Sequence, residues 1–201
     1  MIVHSLFPMP VGQFKLGRAL TDQELSFVKE QKTNNNMGNT TSDDRMLFKS
    51  NELKEIAEFC KQSIDEYFKR IYAPKEEISL YFTQSWANYT APGQYHHKHA
   101  HPNSFVSGVF YVNADSEKDK IFFFRDGYQQ LKVTTENFNI HNSDSWWLSV
   151  GTCDLLIFPS NLTHMVPTTE SENTRISISF NTFLKGYIGQ DDSLTALYLP
   201  L

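Results

Sequence analysis

The chain of 201 residues has little of several features that mark particular classes of protein. It has only two cysteines, Cys60 and Cys153, which lie far apart and form no CxxC pair, so we expect no disulfide framework. No stretch approaches the roughly 20 consecutive apolar residues of a membrane span. The opening MIVHSLFPMP lacks the basic and long apolar regions of a signal peptide. These absences favour a cytoplasmic protein that works away from membranes.

An excess of basic residues is also missing. The chain has 18 Lys and Arg against 23 Asp and Glu, a net charge of −5, and no long basic run. Binding of nucleic acid through broad electrostatic attraction is therefore disfavoured. The length and the hydrophobic content of 40% suit one globular domain with a substantial core.

The first 75 residues contain two helical patterns. Thr21 and Glu24 have the spacing of a capping box and predict a short helix that starts there. Across residues 51–71, apolar side chains recur every three or four positions. This period predicts a longer amphipathic helix, with Ser50 as its candidate N-cap.

From residue 78 onward the hydrophobic period changes to two, which is typical of strands. Seven segments show this pattern: 79–90, 104–113, 120–125, 129–134, 146–150, 154–159 and 175–183. Many short strands separated by turn residues indicate a β-sandwich or barrel. We therefore expect a mainly β fold with N-terminal helices.

The predicted organisation is one domain over residues 1–201. Residues 1–75 would form a helical N-terminal support, in which the polar, aperiodic segment 33–44 is expected to be a loop. Residues 78–185 would form a jelly-roll core that carries the active site, and residues 186–201 a C-terminal tail.

The histidines are the first candidates for chemistry. Four of the seven fall within six residues, in GQYHHKHAHPNS, and strand alternation would put His97, His99 and His101 on one face. Imidazoles two residues apart can reach one metal ion, and His164, in FPSNLTHMVP, is the natural distant partner. Imidazole suits Zn, Cu, Fe and Ni, so the spacing does not choose the metal. Histidines that are merely satisfied polar residues are the alternative.

The strand RISISFN offers a polar face and an apolar face. The polar face consists of Arg175, Ser177, Ser179 and Asn181, and the apolar face of Ile176, Ile178 and Phe180. The polar face is either solvated or lines a cavity inside the roll. A buried guanidinium needs an anionic partner, and a dicarboxylate co-substrate would provide one.

These motifs together resemble the 2-oxoglutarate/Fe(II) oxygenase superfamily, and more closely a prolyl-hydroxylase-like group with an HxH motif that includes members encoded by bacteriophages. The matching segments are SWAN (85–88), HAHPNSFVSGVFYVN (99–113), DLLIFPSNLTHMVP (154–167) and RISISFN (175–181). The likeness covers nearly the whole chain, because the opening LFPMPVG and the helix before the first long strand are similar too.

The resemblance implies a double-stranded β-helix, a jelly-roll variant, with iron at its mouth. It implies the following assignments: His99, His101 and His164 as Fe(II) ligands; Arg175 and Ser177 as the pair that binds the distal carboxylate of 2-oxoglutarate; Tyr111 as a hydroxyl on the same carboxylate; Asn88 and Asn181 as further residues of that cavity; and His97 and Trp86 as neighbours of the ligands.

Position 101 departs from the usual pattern of the superfamily, which has Asp or Glu there. Three neutral imidazoles leave a site more positive by one charge than two histidines and a carboxylate, and such a set also suits Zn. His97 is therefore an alternative second ligand.

The reaction implied by the resemblance is hydroxylation of a substrate with consumption of O2 and 2-oxoglutarate and release of succinate and CO2. The likeness to prolyl hydroxylases suggests a peptide or protein substrate, and a phage-encoded member would act in the host cytoplasm. Two other functions stay open. One is a three-histidine, cupin-like dioxygenase or zinc hydrolase without 2-oxoglutarate, which leaves Arg175 and Ser177 without a role. The other is a non-enzymatic jelly-roll binding module.

Overall fold

The computed structural model describes residues 1–75, 78–125, 127, 131 and 133–200. Two α-helices occur in this part of the chain, α1 (Asp22–Lys29) and α2 (Lys54–Tyr72). The strands are β1 (Gly12–Lys15), β2 (Thr33–Asn35), β3 (Thr40–Ser42), β4 (Ser79–Thr90), β5 (His96–His99), β6 (Val106–Asn113), β7 (Lys120–Phe124), β8 (Ser145–Ser149), β9 (Asp154–Pro159), β10 (His164–Val166), β11 (Arg175–Ile188) and β12 (Leu197–Leu199).

The strands form two antiparallel sheets. The larger has the order β1-β9-β6-β11-β4-β3-β2, with β12 beside β11, and the smaller has the order β5-β10-β7-β8. Apolar side chains from both sheets meet in a core that includes Val109 and Leu156 of the larger sheet and Ile121 of the smaller. This is a double-stranded β-helix, as predicted.

A second core lies on the outer side of the larger sheet. Ile56, Cys60 and Ile64 of α2 pack there with Ile178 and Phe180 of β11, and all five side chains are buried. The helices thus cover the apolar face of β11 and leave the space between the sheets to its polar face.

Packing in this core requires the glycine of the SGV motif in β6. A Cβ atom on Gly108 would lie 2.1 Å from Cζ of Phe180, so only glycine lets the ring sit against the neighbouring strand.

The predicted capping box is confirmed. Thr21 Oγ1 accepts a hydrogen bond from Glu24 N at 3.2 Å, and Glu24 Oε2 accepts one from Thr21 N at 2.7 Å. The prediction that Ser50 caps the long helix is wrong. Two single-turn 3-10 helices, Leu47–Lys49 and Asn51–Leu53, lead into α2, and the Ser50 side chain makes no capping bond.

The expected loop at residues 33–44 is instead the hairpin β2–β3, which joins the larger sheet through β4. The N-terminal support is therefore not only helical, since β1 also pairs with β9. β2 is exposed and the buried residues of β3, Thr41 and Ser42, are polar, so no apolar alternation marks the hairpin.

The C-terminal part also differs from the expectation. β11 continues to Ile188, and β12 pairs with it, so residues 186–201 include sheet structure. In the predicted strand 129–134, residues 129, 130 and 132 lie outside the described residues, while Leu131 and Val133 are exposed and in no strand. Within the described part of the chain, no helix is both long and apolar enough to cross a membrane.

Candidate metal and co-substrate site

Three histidines converge at this site, two on adjacent strands and one in the segment that follows β5. His164 opens β10 directly opposite His99 at the end of β5, and their ring centroids are 4.4 Å apart. His101 lies two residues beyond β5, with its Nε2 atom 3.2 Å from Nε2 of His99. One ligand atom from each of the three side chains lies within 4.8 Å of the others.

The outer nitrogen of each ring is held by an oxygen atom. His99 Nδ1 lies 2.7 Å from His97 O, His164 Nδ1 lies 2.9 Å from Leu162 O, and His101 Nδ1 lies 2.5 Å from Asn181 Oδ1. Carbonyl oxygens only accept, so each Nδ1 carries the proton and each Nε2 presents a lone pair to the common centre.

Two lone pairs that face each other at 3.2 Å repel unless a cation lies between them. Metal–imidazole bonds of about 2.1 Å at right angles put the two nitrogens about 3.0 Å apart. The three-histidine set therefore fits a divalent transition metal.

Burial keeps these rings neutral. It lowers the pKa of His99 to about 4 and that of His164 to about 3, and it also lowers the pKa of His101. Neutral imidazole is the form that binds metal, so protons do not compete for the site near neutral pH.

A small cavity, the inner cavity, is lined by His99, His164 and Arg175. The Arg175 side chain is only 3% exposed, and Nη1 donates to Lys120 O of the smaller sheet at 3.3 Å. Its Nε–H has no partner. Among the described residues no carboxylate forms an ion pair with it.

Three further polar side chains line this cavity in a row across neighbouring strands. Ser177 of β11 lies opposite Asn88 of β4 on one side and Tyr111 of β6 on the other. Asn88 Nδ2 donates to Ser179 Oγ at 2.9 Å, but Asn88 Oδ1 and the Tyr111 hydroxyl are buried without a partner.

The charge state of the cavity follows from burial. Burial raises the pKa of Tyr111 to about 12, so its hydroxyl is a donor at neutral pH. Burial also lowers the pKa of Arg175, because a cation away from water is destabilised, and the buried carboxylate of Asp119 opposes this shift without forming an ion pair. A guanidinium nevertheless stays charged in proteins. The cavity thus presents a hydroxyl donor and a cation that has no ion-pair partner among the described residues.

Of the two alternatives for the polar face of the strand RISISFN, the structure has the second, in which the face lines a cavity and is not solvated. Every residue from Arg175 to Thr182 is buried: the apolar face packs against the helices and the polar face lines the cavity. Asn181 lies further along the same face, where it holds His101 and also accepts from Ser107 Oγ at 2.9 Å.

A second, wider cavity of about 660 Å³, the outer cavity, is open to solvent and is also lined by histidines. Trp86 lies in its wall, with its ring centroid 5.9 Å from that of His101. His97 also lines it, and its Nδ1 is buried without a partner. The group His96, His97 and His99 is a second set whose ligand atoms lie within 4.8 Å of one another.

His96 is a residue that strand alternation did not indicate. It lines both cavities, and its ring stacks on that of His99 with centroids 4.7 Å apart. Burial lowers its pKa to about 2. The pairing of β5 with β10 is irregular next to His164, so simple alternation fails here, and only proximity in the sequence pointed to this residue.

The chain matches the protein family described as "Putative 2OG-Fe(II) oxygenase" over residues 84–181. This range includes all the site residues that the resemblance implied, and these residues line the two cavities. The match covers just under half of the chain, and together with the three-histidine set it indicates an oxygenase that depends on Fe(II), 2-oxoglutarate and O2. No curated protein sequence matches it.

Solved structures share the fold of the oxygenase at low sequence identity. HygX from Streptomyces hygroscopicus, solved with nickel, 2-oxoglutarate and hygromycin B, is 11% identical with a TM-score of 0.58, covering 86% of this chain and 82% of its own. A prolyl-4-hydroxylase from Pseudomonas putida is 13% identical with a TM-score of 0.55, covering 86% and 92%. A prolyl hydroxylase from Trichoplax adhaerens, bound to a peptide fragment of hypoxia inducible factor, is 15% identical with a TM-score of 0.57, covering 86% and 83%.

Proposed function

We propose that His99, His101 and His164 hold the Fe(II) of this oxygenase and that Arg175 binds the C5 carboxylate of 2-oxoglutarate. Ser177 and Tyr111 assist Arg175, and Asn88 lies beside them in the same cavity. The enzyme then hydroxylates a residue of a peptide or protein and releases succinate and CO2.

The observation that carries this assignment is the unpaired charge of Arg175. A buried guanidinium without an ion-pair partner, and with a donor left unbonded, is unfavourable, so a fold that retains one has a use for it. A dicarboxylate that reaches from the histidines into the inner cavity would neutralise the charge and give the Tyr111 hydroxyl an acceptor. A zinc hydrolase or a dioxygenase without 2-oxoglutarate would leave both groups unused.

The metal and 2-oxoglutarate supply the oxidative chemistry when they are bound. The protein residues bind, orient and exclude water. Arg175 fixes one end of 2-oxoglutarate, while Asn181 and the carbonyls of His97 and Leu162 fix the ring orientations of the ligands. No proton transfer to a protein carboxylate is required, and no carboxylate lines either cavity among the described residues.

Two features support a peptidyl substrate. The outer cavity is wide and open to solvent, so a chain can lie across it with one side chain directed at the histidines. Two of the structures that share the fold are prolyl hydroxylases, one of them bound to a peptide.

We also propose a cytoplasmic location. Cys60 and Cys153 are both buried and both free, which suits a reducing compartment.

Anaerobic titration tests the assignment. Addition of Fe(II) and 2-oxoglutarate to the apoprotein should produce a visible metal-to-ligand charge-transfer band that requires both additions. His101→Ala should abolish the band and His97→Ala, as the matched control, should keep it. The reverse pattern would make His97 the second ligand. Tight binding of Zn without any such band in the wild type would contradict the proposed site.

A further inference from the structure

The outer cavity has an unusual charge composition for a site beside a metal. The described residues that line it include four histidines and several neutral polar side chains but no Asp or Glu. Arg45 is the one side chain in this lining with a permanent charge.

Arg45 is an exposed residue whose backbone is fixed by neighbouring strand residues while most of its side-chain donors stay available. Its backbone carbonyl accepts from Ser85 N at 2.7 Å, and the next residue, Met46, forms a bridge with Ser85. Its Nη2 donates to Thr41 Oγ1 at 3.2 Å. Among the described residues no carboxylate forms an ion pair with Arg45, so its planar fork can accept an outside anion.

The proposed metal ligands add no negative charge to this cavity. With three neutral imidazoles, the charges of Fe(II) and of 2-oxoglutarate cancel, whereas a carboxylate ligand would leave one negative charge. The outer cavity then holds the cation of Arg45 with no negative charge in its walls to offset it.

We propose that the substrate presents an oxyanion, a carboxylate or a phosphate, to Arg45 while the carbon to be oxidised lies at the three histidines. This inference rests on the proposed function, since it takes the outer cavity as the substrate site. Within a peptide, the group would be an acidic or phosphorylated side chain close to the hydroxylated residue. Arg45 is then a residue that determines specificity and takes no part in metal or 2-oxoglutarate binding.

Matched peptide pools test the proposal. Three capped pentapeptide pools would carry Asp, phosphoserine or Asn at the central position, with the other positions randomised. Each pool is titrated anaerobically into the protein loaded with Fe(II) and 2-oxoglutarate, and binding is read from calorimetry and from the shift of the charge-transfer band. The Asp or the phosphoserine pool should bind at least about tenfold more tightly than the Asn pool, and the stronger of the two identifies the anion.

Two variants locate the effect. Arg45→Gln should remove the preference for the acidic pool and keep the charge-transfer band. Lys49→Gln, which removes one positive charge from an exposed residue outside the lining of the cavity, should keep the preference. Equal binding of the three pools, absence of binding by all of them, or a preference that survives Arg45→Gln would overturn the inference. Absence of the band before any peptide is added would instead overturn the proposed function.

Discussion

The two faces of β11 are built from alternating residues of one strand. They differ in whether their buried side chains have packing or hydrogen-bond partners. On one face Ile176, Ile178 and Phe180 pack into the helical core. On the other, Arg175 Nε is buried without a partner, and so is the hydroxyl of Tyr111 on the neighbouring strand. An unpaired buried polar group costs about 1–3 kcal/mol. The apolar face therefore stabilises the fold, and the polar face is the one for which we propose a ligand.

The largest expected effect is on the apolar face. Phe180→Ala should lower the free energy of unfolding of the apoprotein by about 3–5 kcal/mol, because the ring fills the space above Gly108 and contacts Phe48 and Phe82. Urea unfolding measures this change, and Lys185→Ala, at an exposed position of the same strand, should stay within about 0.5 kcal/mol of the wild type. A loss below about 1 kcal/mol would mean that this face contributes little to stability.

A substitution on the polar face should weaken ligand binding without lowering stability. Arg175→Leu should weaken 2-oxoglutarate binding by about a hundredfold or more, because the distal carboxylate loses its buried partner. The stability of the apoprotein should stay the same or rise, since an uncompensated charge is removed. Calorimetry with the Fe(II) form and urea unfolding measure the two quantities. Arg125→Leu, an exposed arginine outside both cavities, should leave 2-oxoglutarate binding intact.

Asn181 connects the polar face to the metal without being a ligand. Asn181→Ala should lower Fe(II) affinity by about 10–100-fold, because His101 loses the acceptor that orients its ring. Asn181→Asp retains an acceptor and should bind Fe(II) more tightly than the alanine variant. If anaerobic calorimetry finds the alanine variant within twofold of the wild type, the hydrogen bond does not position His101.

The smallest expected effect concerns Tyr111. Tyr111→Phe should weaken 2-oxoglutarate binding by about five- to tenfold and leave the apoprotein no less stable, because the hydroxyl has no partner to lose. Tyr89→Phe is the matched control: its hydroxyl donates to Val28 O at 2.5 Å, so that change should lower stability and leave 2-oxoglutarate binding unchanged. Equal losses of stability in both variants would show that Tyr111 is a structural residue.

Much of the fold could be predicted from the sequence where burial imposes a period. α2 and strands β4, β6 and β9 were predicted near their observed bounds, because each has apolar residues that pack against a core. The hairpin β2–β3 could not be predicted. β2 is exposed and both strands consist of polar residues, so the sequence shows no hydrophobic period there.

The site was predictable in part for a related reason. Alternation placed Arg175, Ser177 and Asn181 on one face, but the sequence left open whether that face met water, because the helices that cover the other face are distant in the chain. His96 escaped prediction because the irregular pairing of β5 with β10 breaks the alternation on which the argument relied.

We propose that Arg175 binds the distal carboxylate of 2-oxoglutarate. A binding cycle tests it most directly, with 2-oxoglutarate and 2-oxopentanoate, which lacks that carboxylate, titrated anaerobically into the Fe(II) forms of the wild type and Arg175→Leu. The wild type should prefer 2-oxoglutarate by about a hundredfold or more, and the variant should bind the two 2-oxo acids nearly equally. A preference of the same size in both proteins would contradict the account.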